Sequence, residues 1–156
     1  MIIASVEAWV EAPLARYVEE ARARLALLLH PSGQVVAQAG FTRAVDVMSA
    51  CALAAAVNAT ASELGRQLDG TAFHGLYHSG AEKQFHLASL ELGGATYICL
   101  TVFDDESSLG LIRMYFSDLS RELAAAAPPP VTRAPALGLD FERDLNRNLA
   151  ALFGRA

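Results

Sequence analysis

From Val45 to Leu64 the chain reads VDVMSACALAAAVNATASEL, apolar or small at nearly every position. A helix of this composition carries apolar surface around most of its circumference and must be covered on more than one side. A single small domain usually covers one face of a surface helix. The surplus points to a second chain, a copy of this one or a different partner. The run is also long enough to suggest a membrane span. Asp46, Asn58 and Glu63 interrupt it, however, and alanine gains little from hydrocarbon, so packing with an interface is the favoured reading.

Before this helix, Pro13 is placed in a first helical turn, and Leu14, Tyr17, Val18, Ala21 and Leu25 recur at three- and four-residue spacing. Leu25 to His30, the breaker Pro31-Ser32-Gly33 and Gln34 to Ala39 then read as a hairpin. The long helix should stop near Asp69-Gly70. Three strands are expected after it: Phe73 to His78, Gln84 to Leu92 and Thr96 to Phe103, separated by Ser79-Gly80 and Gly93-Gly94. Connections this short require antiparallel neighbours. In the middle strand Phe85, Leu87, Ser89 and Glu91 alternate with His86, Ala88, Leu90 and Leu92, which suits a sheet with one face better buried.

Asp104 to Ser108 supplies capping side chains for a third helix with an apolar stripe of Leu109, Ile112, Met114, Phe116, Leu119 and Leu123. The order is α-β-β-α-β-β-β-α, and two helix-covered faces on one antiparallel sheet make a three-layer α/β sandwich. The domain is expected to occupy residues 1–126, followed by a Pro-rich linker at 127–136 that cannot continue a helix. Residues 137–156 then read as an amphipathic helix, with Asp140 as N-cap and Phe141, Leu145, Leu149, Leu152 and Phe153 on one side. A helix that short is marginal alone and needs a surface to dock on.

Composition narrows the function. Of 156 residues, 53% are hydrophobic and 19% charged, enough for a sizeable core in one domain. A net charge of −5 with no Lys/Arg cluster leaves no footprint for nucleic acid or an anionic membrane surface. Cys51 and Cys99 fit free, buried thiols in a reducing compartment. The start MIIASVEAWVEAP has no basic leader and is broken by Glu7 and Glu11, so no secretory signal is expected and the cytoplasm is.

Chemistry is sparse. There is no Walker A, GxGxxG, GxSxG or HExxH pattern, so neither a nucleotide site nor a cofactor is expected. His74 and His78 on one strand and His86 on the next raise a zinc site, but no thiolate is near and Glu82 is the only local carboxylate, which favours ordinary strand histidines. Asp104, Asp105 and Glu106 serve better as a helix start than as a metal cage. Arg43 and Arg66 flank the long helix where an arginine finger could reach a nucleotide in trans, and no motif supports either.

The element order, the hairpin LLLHPSGQVVAQAG, the Asn58-Ala59-Thr60-Ala61 part of the long helix, and the segment TVFDDESSLGLIRMYFSDLSREL with its Phe103-Asp104 strand end and Ser108-Leu109-Gly110 helix start together resemble the roadblock/LC7 family. Within it the chain is similar to the bacterial MglB group, which regulates a small Ras-like GTPase of the MglA type in cell polarity and motility. The likeness covers roughly Leu25 to Leu123, and the arm from Leu137 to Phe153 also looks like that group's C-terminal helix.

That resemblance implies a homodimer in which long helices pair and sheets join through the strand after the long helix, with Val57, Phe73, Gly75 and Tyr77 at the dimer interface. It implies a GTPase-facing surface around Ala56, Thr60, Glu63 and Leu64, and an arm that docks through Phe141, Leu145, Leu149 and Phe153. A regulator of this kind orders the GTPase's own catalytic residues and has no active site or cofactor of its own. Two other classes stay open: a scaffold or adaptor dimer that organises a complex without altering hydrolysis, and a small-molecule sensor.

Overall fold

A computed structural model describes residues 8–129 and 139–153 of the chain. Five antiparallel strands form one sheet in the spatial order β2-β1-β5-β4-β3: β1 Leu25–Leu29, β2 Val35–Gly40, β3 Gly75–Ser79, β4 Gln84–Leu92 and β5 Ala95–Phe103. Helices α1 (Ala8–Glu20) and α3 (Leu109–Ala126) cover one face and α2 (Val47–Asp69) the other, which is the expected three-layer sandwich. A further helix, α4, spans Leu139–Phe153.

The two-residue period of the strands sorts the core into two layers. Ala26 and Leu28 of β1, Leu90 and Leu92 of β4, and Tyr97, Cys99 and Phe103 of β5 pack against Val10, Leu14, Tyr17 and Val18 of α1 and Ile112, Leu119 and Leu123 of α3. Leu25, Leu27, Leu29, Leu87, Ile98 and Leu100 point the other way, onto Cys51, Ala54 and Ala55 of α2.

Local chemistry sets the ends of the helices. The Asp46 carboxylate caps α2, accepting from the Ser49 amide at 3.3 Å and the Ser49 hydroxyl at 2.8 Å. At the other end Gly70 takes φ 75°, the left-handed conformation that closes a helix, and donates to the Arg66 carbonyl at 2.9 Å. The Ser108 hydroxyl accepts from Leu111 N at 3.2 Å to start α3.

Several expectations need correction. Pro13 lies in the second turn of α1, where its ring is buried and no N–H is available for the Trp9 carbonyl. Met114 points away from the sheet and is 51% exposed, because the inward stripe of α3 runs Ile112, Phe116, Leu119, Leu123 and leaves residue 114 on the opposite side. Asp140 lies inside α4 rather than before it. Phe73 and His74 precede β3, which begins at Gly75. Most of the Pro-rich stretch falls outside the described residues.

Among the described residues α2 is the one helix long and apolar enough to cross a bilayer. Of its buried side, Cys51, Ala54 and Ala55 cover the sheet, and Gly65 meets the α2–β3 connection at Thr71 and Phe73.

Candidate partner-binding surface on the long helix

Covering the sheet uses a narrow sector of α2. Alanines and a cysteine there bring the helix close to the strands, and the leucines are left on its flank: Leu53 and Leu68 are each 67% exposed, Leu64 50% and Val57 38%. With Thr60 they recur at steps of four, three, four and four residues, so they form one stripe along the helix. Each large apolar side chain left in water forgoes about 1.5–3 kcal/mol of burial, so a second surface laid against this stripe gains chiefly by covering it.

Beside the stripe the helix leaves part of the sheet uncovered. An apolar groove of 180 Å³ runs between α2 and the strands, walled by Leu53, Ala54 and Val57 and floored by Phe85, Leu87 and Leu100. Leu76 and Val102 on the same sheet face are only partly buried.

Ala56, Thr60, Glu63 and Leu64 lie together in one exposed sector of α2. The Thr60 hydroxyl donates to the Ala56 carbonyl at 2.9 Å, so it presents mainly its methyl group outward. Glu63 accepts from Gln67 at 3.3 Å and pairs with Arg66 at 3.0 Å, and these two contacts hold its carboxyl below the usual range. Its charge therefore sits beside the stripe, next to Leu64.

The four residues expected at a dimer interface are spread over both sides of the sheet. Val57 lies in the α2 groove. Tyr77 pairs with His86, stacks on Phe103 at 6.2 Å and donates to Gln84, placing it and Gly75 on the α3 face. Phe73 packs against Gly65 of α2. One interface can include all four only by wrapping the β3 edge, which is the end of the sheet and has β4 as its one strand neighbour. On α4, Leu145, Leu149 and Phe153 are exposed together with Leu152, whereas the Phe141 side chain lies outside the described residues.

The three histidines do not converge. His78 pairs with Phe85 on the α2 face, His86 pairs with Tyr77 on the α3 face, and His74 precedes the strand, so a one-residue difference in parity separates the imidazoles. Among the described residues no group of three His, Cys, Asp or Glu is placed to hold a metal. Asp104 pairs with Arg24 and accepts from Glu106 N at 3.1 Å, so the acidic run fastens the β5–α3 loop. The Arg24 and Glu106 contacts keep the Asp104 carboxyl below its usual range.

Arg43 lies in the 3-10 turn Thr42–Ala44 ahead of α2, and Arg66 is paired to Glu63. A wider groove of 640 Å³ opens on the other flank of α2, and four of its polar groups are engaged in pairs, Asn58 with Ser89 at 3.5 Å and Glu91 with Thr96 at 2.6 Å. Leu53 and Leu68 were absent from the residues singled out by sequence, although the repeat through Val57, Thr60 and Leu64 contains them.

This arrangement, a five-stranded antiparallel sheet with one long helix on one face and two on the other, is the roadblock/LC7 fold. Three solved structures locate it more closely. The chain is similar to MglB from Myxococcus xanthus, with 26% identity and a TM-score of 0.70 over 76% of this chain and 94% of that one. It is similar to gliding protein MglB from Thermus thermophilus, at 24% identity and a TM-score of 0.64 over 74% and 86%. A roadblock/LC7 domain from Streptomyces avermitilis shares the fold at 15% identity, with a TM-score of 0.61 over 75% and 93%. No protein-family model and no curated protein matches the sequence.

Proposed function

We propose that the chain is a homodimeric regulator of a small Ras-like GTPase, acting in the cytoplasm in cell polarity and motility. The exposed stripe Leu53, Val57, Leu64, Leu68 beside an uncovered apolar groove carries this reading. Both features sit on or beside α2, the helix on which this reading puts the working surface. A second copy laid against this groove and along β3 buries Leu53 and Val57 at the groove end of the stripe and satisfies the open sheet edge in one step.

In that dimer the exposed sector of Ala56, Thr60, Glu63 and Leu64 is duplicated across the two-fold axis. It offers a GTPase an apolar centre from Leu64 and Ala56 and a charged rim from the Glu63–Arg66 pair. Such a surface works by holding the GTPase's own switch segments in a productive arrangement. It needs no cofactor, active site or arginine finger of its own. The C-terminal arm, joined through the Pro-rich linker, docks its Leu145, Leu149 and Phe153 side on the domain, its dimer mate or the GTPase.

The test is the mass of the complex in solution when the full chain is mixed with a Ras-like GTPase from the same genome, loaded with GTP or with GDP. A GTP-dependent complex of two chains with one GTPase is expected. Complexes indifferent to the nucleotide would move the reading to a scaffold dimer, and a monomer that binds neither form would end it.

A further inference from the structure

His86 is 5% exposed, and its Nδ1 is buried with no hydrogen-bond partner. The imidazole lies on β4, beside the five-residue edge strand β3. It pairs with Tyr77 of β3 and Thr101 of β5, meets the edge of Phe116 from α3 at 5.4 Å, and reaches with Nε2 to within 3.3 Å of where a Cβ on Gly75 would lie. Its β4 neighbours on that face are Gln84 and Ala88.

Tyr77 donates to Gln84, and the Thr101 hydroxyl is engaged with Tyr17 at 2.8 Å. Among the described residues no carboxylate acts on the ring. The one charge that does is the Arg113 cation on α3.

We propose that His86 is a proton-operated latch for the β3 edge. Uptake of one proton from solvent turns a buried neutral ring into a cation beside Arg113, with an N–H that has no acceptor. The ring must leave its place under α3, and β3, five residues held by β4 alone, loosens with it.

Burial first, and Arg113 second, keep the ring's pKa below its ordinary value. The opened form therefore binds more protons than the closed one. The closed form keeps its full advantage above about pH 6.5 and loses it as pH falls below that value. The latch belongs to the single chain. In a dimer joined at β3 the same proton weakens the joint.

Amide hydrogen exchange on the full chain, corrected for the intrinsic pH dependence, tests the idea between about pH 7.5 and about pH 5.5. Protection of Gly75–Ser79 should fall several-fold, up to about tenfold, relative to β1. The fall should vanish in His86→Leu and in His86→Gln and persist in a His74→Gln/His78→Gln variant. Unchanged protection in the native sequence would overturn the latch. So would a fall that survives both His86 substitutions or disappears with His74 and His78.

The His86 ring resonances of the unsubstituted protein give a reading that needs no variant. Their midpoint should lie below about pH 6.5, with the loss of protection setting in above that midpoint, and a midpoint at or above about pH 6.5 would also overturn it. Sedimentation of the same samples reads the dimer separately. A monomer at both pH values with the latch intact counts against the dimer and not against His86.

Discussion

Gly65 and Phe73 meet so closely that a Cβ on residue 65 would lie 2.7 Å from the Phe73 amide nitrogen and 2.9 Å from its ring. This approach fastens the α2–β3 connection to the helix and fixes where β3 starts. Gly65→Ala gains about 0.8–1.0 kcal/mol of helix propensity. Overpacking costs about 1–3 kcal/mol and should win, because the contact is partly with backbone that cannot rotate away. A lower urea midpoint with an unchanged slope is the expected result, and a higher midpoint would show that the loop yields.

Tyr17 and Thr101 link α1 to the centre of the sheet through a buried hydroxyl pair at 2.8 Å, and burial pushes the phenol pKa upward. Thr101→Val strands the Tyr17 hydroxyl and should cost about 1–3 kcal/mol. Adding Tyr17→Phe removes the stranded group, so the double variant should lose less than the sum of the two single losses. Chemical denaturation of all four proteins measures that coupling, and strict additivity would mean the pair contributes nothing as a pair.

Cys99 is fully buried, and burial pushes its thiol up to about 12; Cys51, buried on the sheet-facing side of α2, is also shifted upward. Neither should react with an aromatic disulfide reagent at about pH 8 in the native protein, whereas both should react in denaturant. Rapid labelling of one thiol under native conditions would show that its layer of the core opens locally.

Leu53→Glu replaces an exposed side chain and should change the stability of the folded chain by no more than about 0.5 kcal/mol. It also places a charge at the start of the stripe, on the wall of the apolar groove. Circular dichroism should therefore report an intact fold while sedimentation reports a single chain. A dimer that survives Leu53→Glu and Val57→Glu together would mean that the copies meet elsewhere.

Much of this fold was legible in the sequence because its strands alternate cleanly. Gln84 to Leu92 gave β4 with its boundaries and both faces, and the excess apolar surface of the long helix appears in the structure as the stripe beside the groove. Phe73 was assigned to a strand because its contact is with a glycine eight residues back, which no periodicity reveals. Met114 was taken as core on hydrophobicity alone, although its angular position excludes it.

The grouping of the histidines failed for a related reason. A hairpin register is needed to know that His78 and His86 face opposite ways, and spacing along the chain does not supply it. The alternation puts His86 on the face of Ala88, Leu90 and Leu92, but its depth of burial depends on α3 crossing above it, which the strand pattern does not show.

The most direct test of the proposed role is GTP turnover by the Ras-like GTPase from the same genome, measured alone, with this protein, and with Thr60→Arg. Turnover should rise with the native sequence and return to the basal rate with Thr60→Arg, whose long cation would occupy the surface between Ala56 and Leu64. Turnover that is unchanged by the native protein, or raised equally by Thr60→Arg, would contradict the assignment of this face of α2 to GTPase regulation.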